Sequence, residues 1–174
     1  YRMMLDYRDF RPYPLNGNYY SVELLKEGFG IFGERNALIL NSKYAHYMEL
    51  APKVSMEMIV EGETNLVRKR QPYFNNRGLG LGTNLKRKNE KYVIDGMDYA
   101  YAKTSLRYEL FDNMLDFGKI VPIQAFRKMP LKVYAKLNSD WGYVNEPFYQ
   151  DTSTLSNQLL WGGGLGLDFV VYAD

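Results

Sequence analysis

The sequence predicts an all-β, antiparallel transmembrane β-barrel, of which this chain supplies an interior portion of about seven strands. Three observations carry that prediction. Seven segments alternate apolar and polar residues with period two. These segments run about 9 to 15 residues, where ordinary strands run about 5 or 6. Their polar faces are densely charged, so one face suits lipid and the other a wet lumen. In Tyr99–Leu110 the even positions are Ala100, Ala102, Thr104, Leu106, Tyr108 and Leu110, and the odd positions are Tyr99, Tyr101, Lys103, Ser105, Arg107 and Glu109.

The elements follow in order. The first strand is expected over about Tyr1–Asp9, with Tyr1, Met3, Leu5 and Tyr7 opposed to Arg2, Asp6 and Arg8. The Pro and Asn-Gly of Arg11–Gly17 stop that ladder. The second strand runs from Tyr19 to about Phe32, with Tyr20, Val22 and Leu24 on one side. Gly33–Asn36 is a short turn, and the third strand covers about Ala37–Leu50. Ala51-Pro52 turns the chain into a fourth strand, about Lys53–Asn65, in which Ile59 falls on the polar face. A long irregular stretch, about 67–98, precedes the fifth strand, Tyr99–Leu110; loops of that length usually carry function. Phe111–Met129 is read as a loop, Pro130–Val144 as the sixth strand, Asn145–Ser156 as a loop and Gln158–Tyr172 as the seventh strand.

Composition narrows the function classes. There is no cysteine, which excludes disulfides and thiolate metal sites. The single histidine, His46, excludes a multi-histidine metal centre, and a net charge of +2 gives no polyanion signal, so no nucleic-acid partner is expected. Sixteen tyrosines suit both strands and a membrane interface. No apolar run approaches the roughly 20 residues of a spanning helix, and no signal-peptide pattern is read in residues 1–174. The chain begins inside a strand pattern and its last strand lacks a terminal aromatic, so it reads as a processed or partial chain. An odd strand count leaves two open edges, where closed bacterial barrels use even counts. A soluble β-sandwich alternates in the same way and is the competing architecture.

The local motifs are weaker. Gly78, Gly80 and Gly82 suggest a phosphate loop, but no strand-to-helix context and no Gly-Lys-Ser/Thr accompanies them. Alternate glycines more often permit close backbone approach. The run Lys86-Arg87-Lys88 could meet phosphate or lipid headgroups, remain solvated, or pin the loop inside a barrel through a bidentate arginine–carboxylate pair. Asp6 with Arg8 reads as a structural ion pair. His46 lies on the apolar face of its strand and reads as packed or interfacial rather than catalytic. Tyr44, Trp141, Tyr143, Trp161 and Tyr172 are candidates for an interface girdle. By alternation Lys103, Arg107, Lys132, Lys136 and Asp140 face the lumen, while Leu106, Leu131, Val133, Leu137 and Phe169 face out.

Several stretches resemble, in order, the BamA-type outer-membrane insertases of the surface-antigen barrel superfamily. Leu5-Asp6-Tyr7-Arg8-Asp9 with Pro14 and Gly17 resembles the family's Asp-x-Arg…Pro…Gly strand and turn. Arg87 within Leu85–Glu90, followed by Tyr92–Gly96, resembles the sixth-loop motif Val-Arg-Gly-Tyr/Phe. Ser105–Leu110 is similar to the strand after that loop. Asn138–Val144 resembles the Asp-x-Gly-x-Val strand, and Leu160–Asp168 the later Gly-x-Gly-x-Gly-Leu strand. The motif's glycine and aromatic stand here as Lys88 and Asn89, and Ser105 stands where an acidic residue is usual.

The resemblance implies a sixteen-stranded barrel in the bacterial outer membrane whose periplasmic POTRA domains and terminal strands lie outside residues 1–174. It implies insertion and folding of client outer-membrane proteins, with no covalent chemistry, catalytic residue, cofactor or metal. The implied partners are the remaining strands of the same barrel, client proteins, assembly-complex lipoproteins and outer-membrane lipid. The implied site is a lumenal sixth loop, about 67–98, in which Arg87, Lys88, Asn89 and Glu90 carry the motif. Arg87 would pair with Asp140 first or Glu109 second, and Arg77 or Lys86 is the alternative cation nearer the wall. A secretion pore of the same superfamily or a passive channel would share this architecture. A lipid-modifying barrel enzyme would need a serine, histidine and acid on one face, and the sequence offers no such set.

Overall fold

The computed structural model describes residues 1–31, 35–70, 77–79, 94–116, 128–149 and 154–171. They contain nine strands and no helix: β1 (Arg2–Asp6), β2 (Gly17–Glu27), β3 (Ala37–Ala51), β4 (Val54–Asn65), β5 (Arg77–Leu79), β6 (Ile94–Asp95), β7 (Asp98–Asp116), β8 (Lys128–Asn145) and β9 (Leu159–Val171). Seven of them form one antiparallel sheet in the order β1-β2-β3-β4-β7-β8-β9, a meander in which chain neighbours are sheet neighbours. β1 and β9 are its two edges and do not pair with each other. β5 and β6 form a separate two-stranded ladder inside the connection from β4 to β7.

Alternation sorts the side chains as expected, but the burial is inverted relative to a water-soluble sheet. Running across the register, Met48, Met56, Leu106, Leu137 and Leu165 share one face. Leu106, Leu137, Trp141, Trp161, Leu165, Leu167 and Phe169 on that face are all exposed. The opposite face holds buried Ser21, Ser55, Glu61, Ser105, Arg107, Asn138 and Asp140. Among the described residues no second sheet covers the apolar face, as a sandwich would require.

Four boundaries differ from the sequence expectation, each for a local reason. β1 stops at Asp6, although Tyr7 and Asp9 still donate backbone hydrogen bonds to Asn18 and Asn16. β2 stops at Glu27 rather than near Phe32, because Gly28 and Gly30 enter left-handed conformations (φ 60° and 74°) and leave the ladder. β7 continues to Asp116 and β8 begins at Lys128, where a loop over Phe111–Met129 was expected. The register shift between Glu109 and Phe111 explains the difference. A bulge there reverses the parity of every later residue, so simple alternation fails at the point where the strand continues. Beyond the bulge Phe111 is exposed opposite Val133, and Asp112 meets Lys132 at 2.9 Å.

Ile59 has its reason in the inner face. It packs against a cluster of Leu79, Ile94, Tyr99, Tyr101, Val144 and Leu160. Leu79 and Ile94 come from β5 and β6, so part of the β4–β7 connection lies against the inner wall.

Candidate functional site

The inner face carries two structured regions, one at each end of the sheet. At the end where β4 exits and β7 begins, the β5–β6 ladder docks onto β7, β8 and β9. Leu79 and Ile94 are 0% and 1% exposed. The return limb is stitched to β8 by a hydrogen bond from the Met97 amide to the Asn145 carbonyl (2.9 Å), and Ser156 donates its hydroxyl to the Asp95 carbonyl (2.6 Å). Asp98 ties both limbs together. Its carboxylate accepts from Thr64 (2.7 Å), Arg68 (2.5 Å) and Asn145 (2.8 Å).

Gly78 explains why this ladder lies so close to the wall. A Cβ at Gly78 would stand 2.8 Å from the Ile94 carbonyl oxygen and 2.8 Å from a Val144 methyl. Val144 is one of three successive inward positions of β8, Asp140, Gly142 and Val144, all buried. The Asp-x-Gly-x-Val stretch therefore lies under the loop, with its valine against Gly78. Gly78→Ala is expected to cost about 1–3 kcal/mol by overpacking. Limited proteolysis should then cut within 66–97 faster while β2–β4 stay protected; unchanged cutting would refute the close fit.

Asp140 is 0% exposed on the inner face, opposite Lys103 in the β7 register and Gly162 in the β9 register. Glu109 is also inward and accepts a hydrogen bond from the Tyr134 hydroxyl at 3.4 Å. The two carboxylates are not brought together. Lys103, opposite Asp140, precedes Glu109 by six residues of β7, about 20 Å of extended strand. One arginine cannot serve both. Arg87, Lys88, Asn89 and Glu90 lie outside the described residues, and with them the Arg87–Asp140 pairing.

At the other end of the sheet, among the described residues, the best-enclosed arginine is Arg107, 5% exposed. Its guanidinium pairs with the Glu57 carboxylate, donates to the Pro14 carbonyl at 2.9 Å and lies 4.5 Å above the Tyr13 ring. Tyr13 packs on Tyr134, with ring centroids 5.2 Å apart, and donates its hydroxyl to Asp168 at 3.0 Å. Burial raises the Tyr13 phenol above its ordinary pKa, Arg107 opposing and Asp168 reinforcing, so the proton that makes this bond stays in place. Lys136 holds the same carboxylate at 2.7 Å. Alternation places Arg107 and Lys136 inside; it carries no sign of the turn 7–16, whose Pro14 and Tyr13 meet Arg107 and whose Tyr13 shares Asp168 with Lys136.

Of the remaining sequence candidates, Tyr172, Gly80 and Gly82 lie outside the described residues. Arg8 holds Asp6 in a two-point ion pair, 2.8 Å at each contact, and stacks on Tyr19. His46 stays on the apolar face, stacked with Tyr44 and bonded to Asn18. Trp141 and Trp161 meet edge to face, and both indoles donate to Ser139. Among the described residues no group of three or more metal-ligating side chains converges. Comparison with family models, curated proteins and solved structures yields no match.

Proposed function

We propose that this chain is a sector of a transmembrane β-barrel belonging to a BamA-type outer-membrane assembly factor, which inserts and folds client barrel proteins. The inverted sheet supports the membrane part of this reading: charged and hydrogen-bonding groups are buried on one face, while bulky apolar groups are bare on the other. Water disfavours such a surface, and a bilayer favours it. β2, β3, β4, β7, β8 and β9 hold 11, 15, 12, 19, 18 and 13 residues, enough for the roughly 9–11 that a tilted spanning strand needs.

The connections sort by end. The strand ends joined as β2–β3, β4–β7 and β8–β9 lie at one end, which we assign to the outside because outer loops are the longer ones; those joined as β1–β2, β3–β4 and β7–β8 lie at the other. The open edges β1 and β9 are the seams at which the remaining strands of the same barrel would pair. Client proteins, lipoproteins of the assembly complex and outer-membrane lipid are the partners of this reading.

The assembly role rests on the resemblance to the insertase family together with the inward docking of the β5–β6 ladder. Within that loop Arg87 is the motif arginine of this reading, with Asp140 its first wall carboxylate and Glu109 its second. Gly78 and Gly96 flank it at two positions where Val144 leaves no room for a side chain, so the loop is held close to the wall on both limbs. The test uses the full-length protein in cells that depend on it. Arg87→Ala should lower the amount of folded client barrels in the outer membrane while its own barrel stays heat-modifiable, and Arg77→Ala should behave as the parent. The reverse order would move the role to Arg77, and parent-like assembly by both variants would defeat the reading.

A further inference from the structure

We propose that the turn at residues 7–16 is an internal brace, a strap that ties the first hairpin to the β9 margin and sets how far apart the two open edges stand. The strap is itself rigid. The Asp9 carboxylate accepts from the Phe10 amide (2.8 Å) and the Leu15 amide (3.1 Å), closing the loop on itself. Pro12 and Pro14 fix two of its backbone angles. Gly17, at φ 110°, lets the loop leave β2 directly over the Tyr7 carbonyl, where no Cβ fits.

From there the strap crosses over β3 and β4. The Pro14 carbonyl takes the Arg107 bond on β7, the Tyr13 ring takes Tyr134 on β8, and the Tyr13 hydroxyl takes Asp168 on β9. In the sheet, β2 and β9 are five strand spacings apart, about 24 Å along the surface. The strap is a chord across that arc. Flattening the sheet lengthens the chord, and the Tyr13–Asp168 bond at its far end is the first to part. The contacts are chemically graded: a charged pair anchors the middle at Arg107, and a single hydroxyl secures the margin.

Such a brace acts on the sheet whether or not the barrel assembles clients, so its test is a distance. The chain has no cysteine, which permits spin labels at chosen sites. Labels at Leu5→Cys on β1 and Phe169→Cys on β9, both exposed on the apolar face, report the spacing of the edges in the full-length protein. Labels at Met58→Cys and Leu137→Cys report the sheet interior. Tyr13→Ala should lengthen or broaden the edge distance by about one strand spacing, roughly 5 Å, and leave the interior distance unchanged. Tyr13→Phe, which keeps the ring and removes only the hydroxyl, should give a smaller shift in the same direction and guards against a folding failure of the alanine variant. Edge distributions identical to the parent in both variants would overturn the proposal. So would an equal change in both label pairs, since that reports general loosening.

Discussion

Replacing Arg107 with alanine is expected to destabilise the protein by about 3–5 kcal/mol, because it strands a carboxylate that the fold has already removed from solvent. The Arg107 and Glu57 side chains are 7% and 16% exposed, so neither ion is freely hydrated. Three contacts disappear together: the Glu57 pair, the bond to the Pro14 carbonyl and the stacking on Tyr13. Glu57→Gln should cost less, because an amide oxygen still accepts from the guanidinium. A double variant, Arg107→Met with Glu57→Leu, should recover much of the loss, since removing both charges leaves no orphan. Urea titration followed by tryptophan fluorescence reads the effect, with Trp141 and Trp161 as reporters on the far face. A loss below about 1 kcal/mol would place this pair among solvent-screened surface ion pairs and refute the enclosed description.

The same pair shows what a sequence can and cannot carry. That Arg107 and Glu57 point inward follows from counting by twos along two strands. That they meet follows from the β4–β7 register, in which Ser55 stands opposite Arg107 and Glu57 is two residues on, a diagonal neighbour on the same face. That register was not legible, because a connection as long as 66–97 leaves the pairing of β4 with β7 open. The strap was less legible still. Pro12, Pro14 and Asn16-Gly17 announce a turn, but the destination of Tyr13 is set 155 residues away by Asp168. Local sequence encodes where a chain bends and holds little about what it then touches.

The loop site repeats the lesson in a sharper form. The basic run at 86–88 draws the eye because charge is conspicuous, and the glycines at 78, 80 and 82 suggest close backbone approach without saying to what. The structure gives Gly78 a steric reason, contact with Val144 and the Ile94 carbonyl. The signal for it was the alternation of those glycines, read against a strand whose inward residues are Asp140, Gly142 and Val144. Asp140 and Glu109 were indistinguishable by alternation, since period two assigns a face and says nothing about height along the strand.

Leu165→Arg is expected to separate a lipid-facing sheet from a water-facing one. Leu165 is the central residue of β9, stands opposite Leu137 and is 86% exposed. If that face met water, an arginine there would change stability by no more than about 0.5 kcal/mol. If it meets the middle of a bilayer, the same substitution costs about 2–4 kcal/mol, because the guanidinium must be carried into hydrocarbon. Leu159→Arg supplies the internal control. It lies on the same face, 67% exposed, but six residues nearer the strand end, about 20 Å along the chain. At that height an arginine reaches the headgroups and costs about 0–1 kcal/mol. Stability of the full-length protein refolded into bilayers, read as a urea midpoint, should therefore fall markedly for Leu165→Arg and little for Leu159→Arg. The comparison is decisive because both sites are bare leucines on one strand and differ in depth alone. Equal, small losses at both positions would mean that the apolar face is not in lipid, and the barrel reading would fall with it.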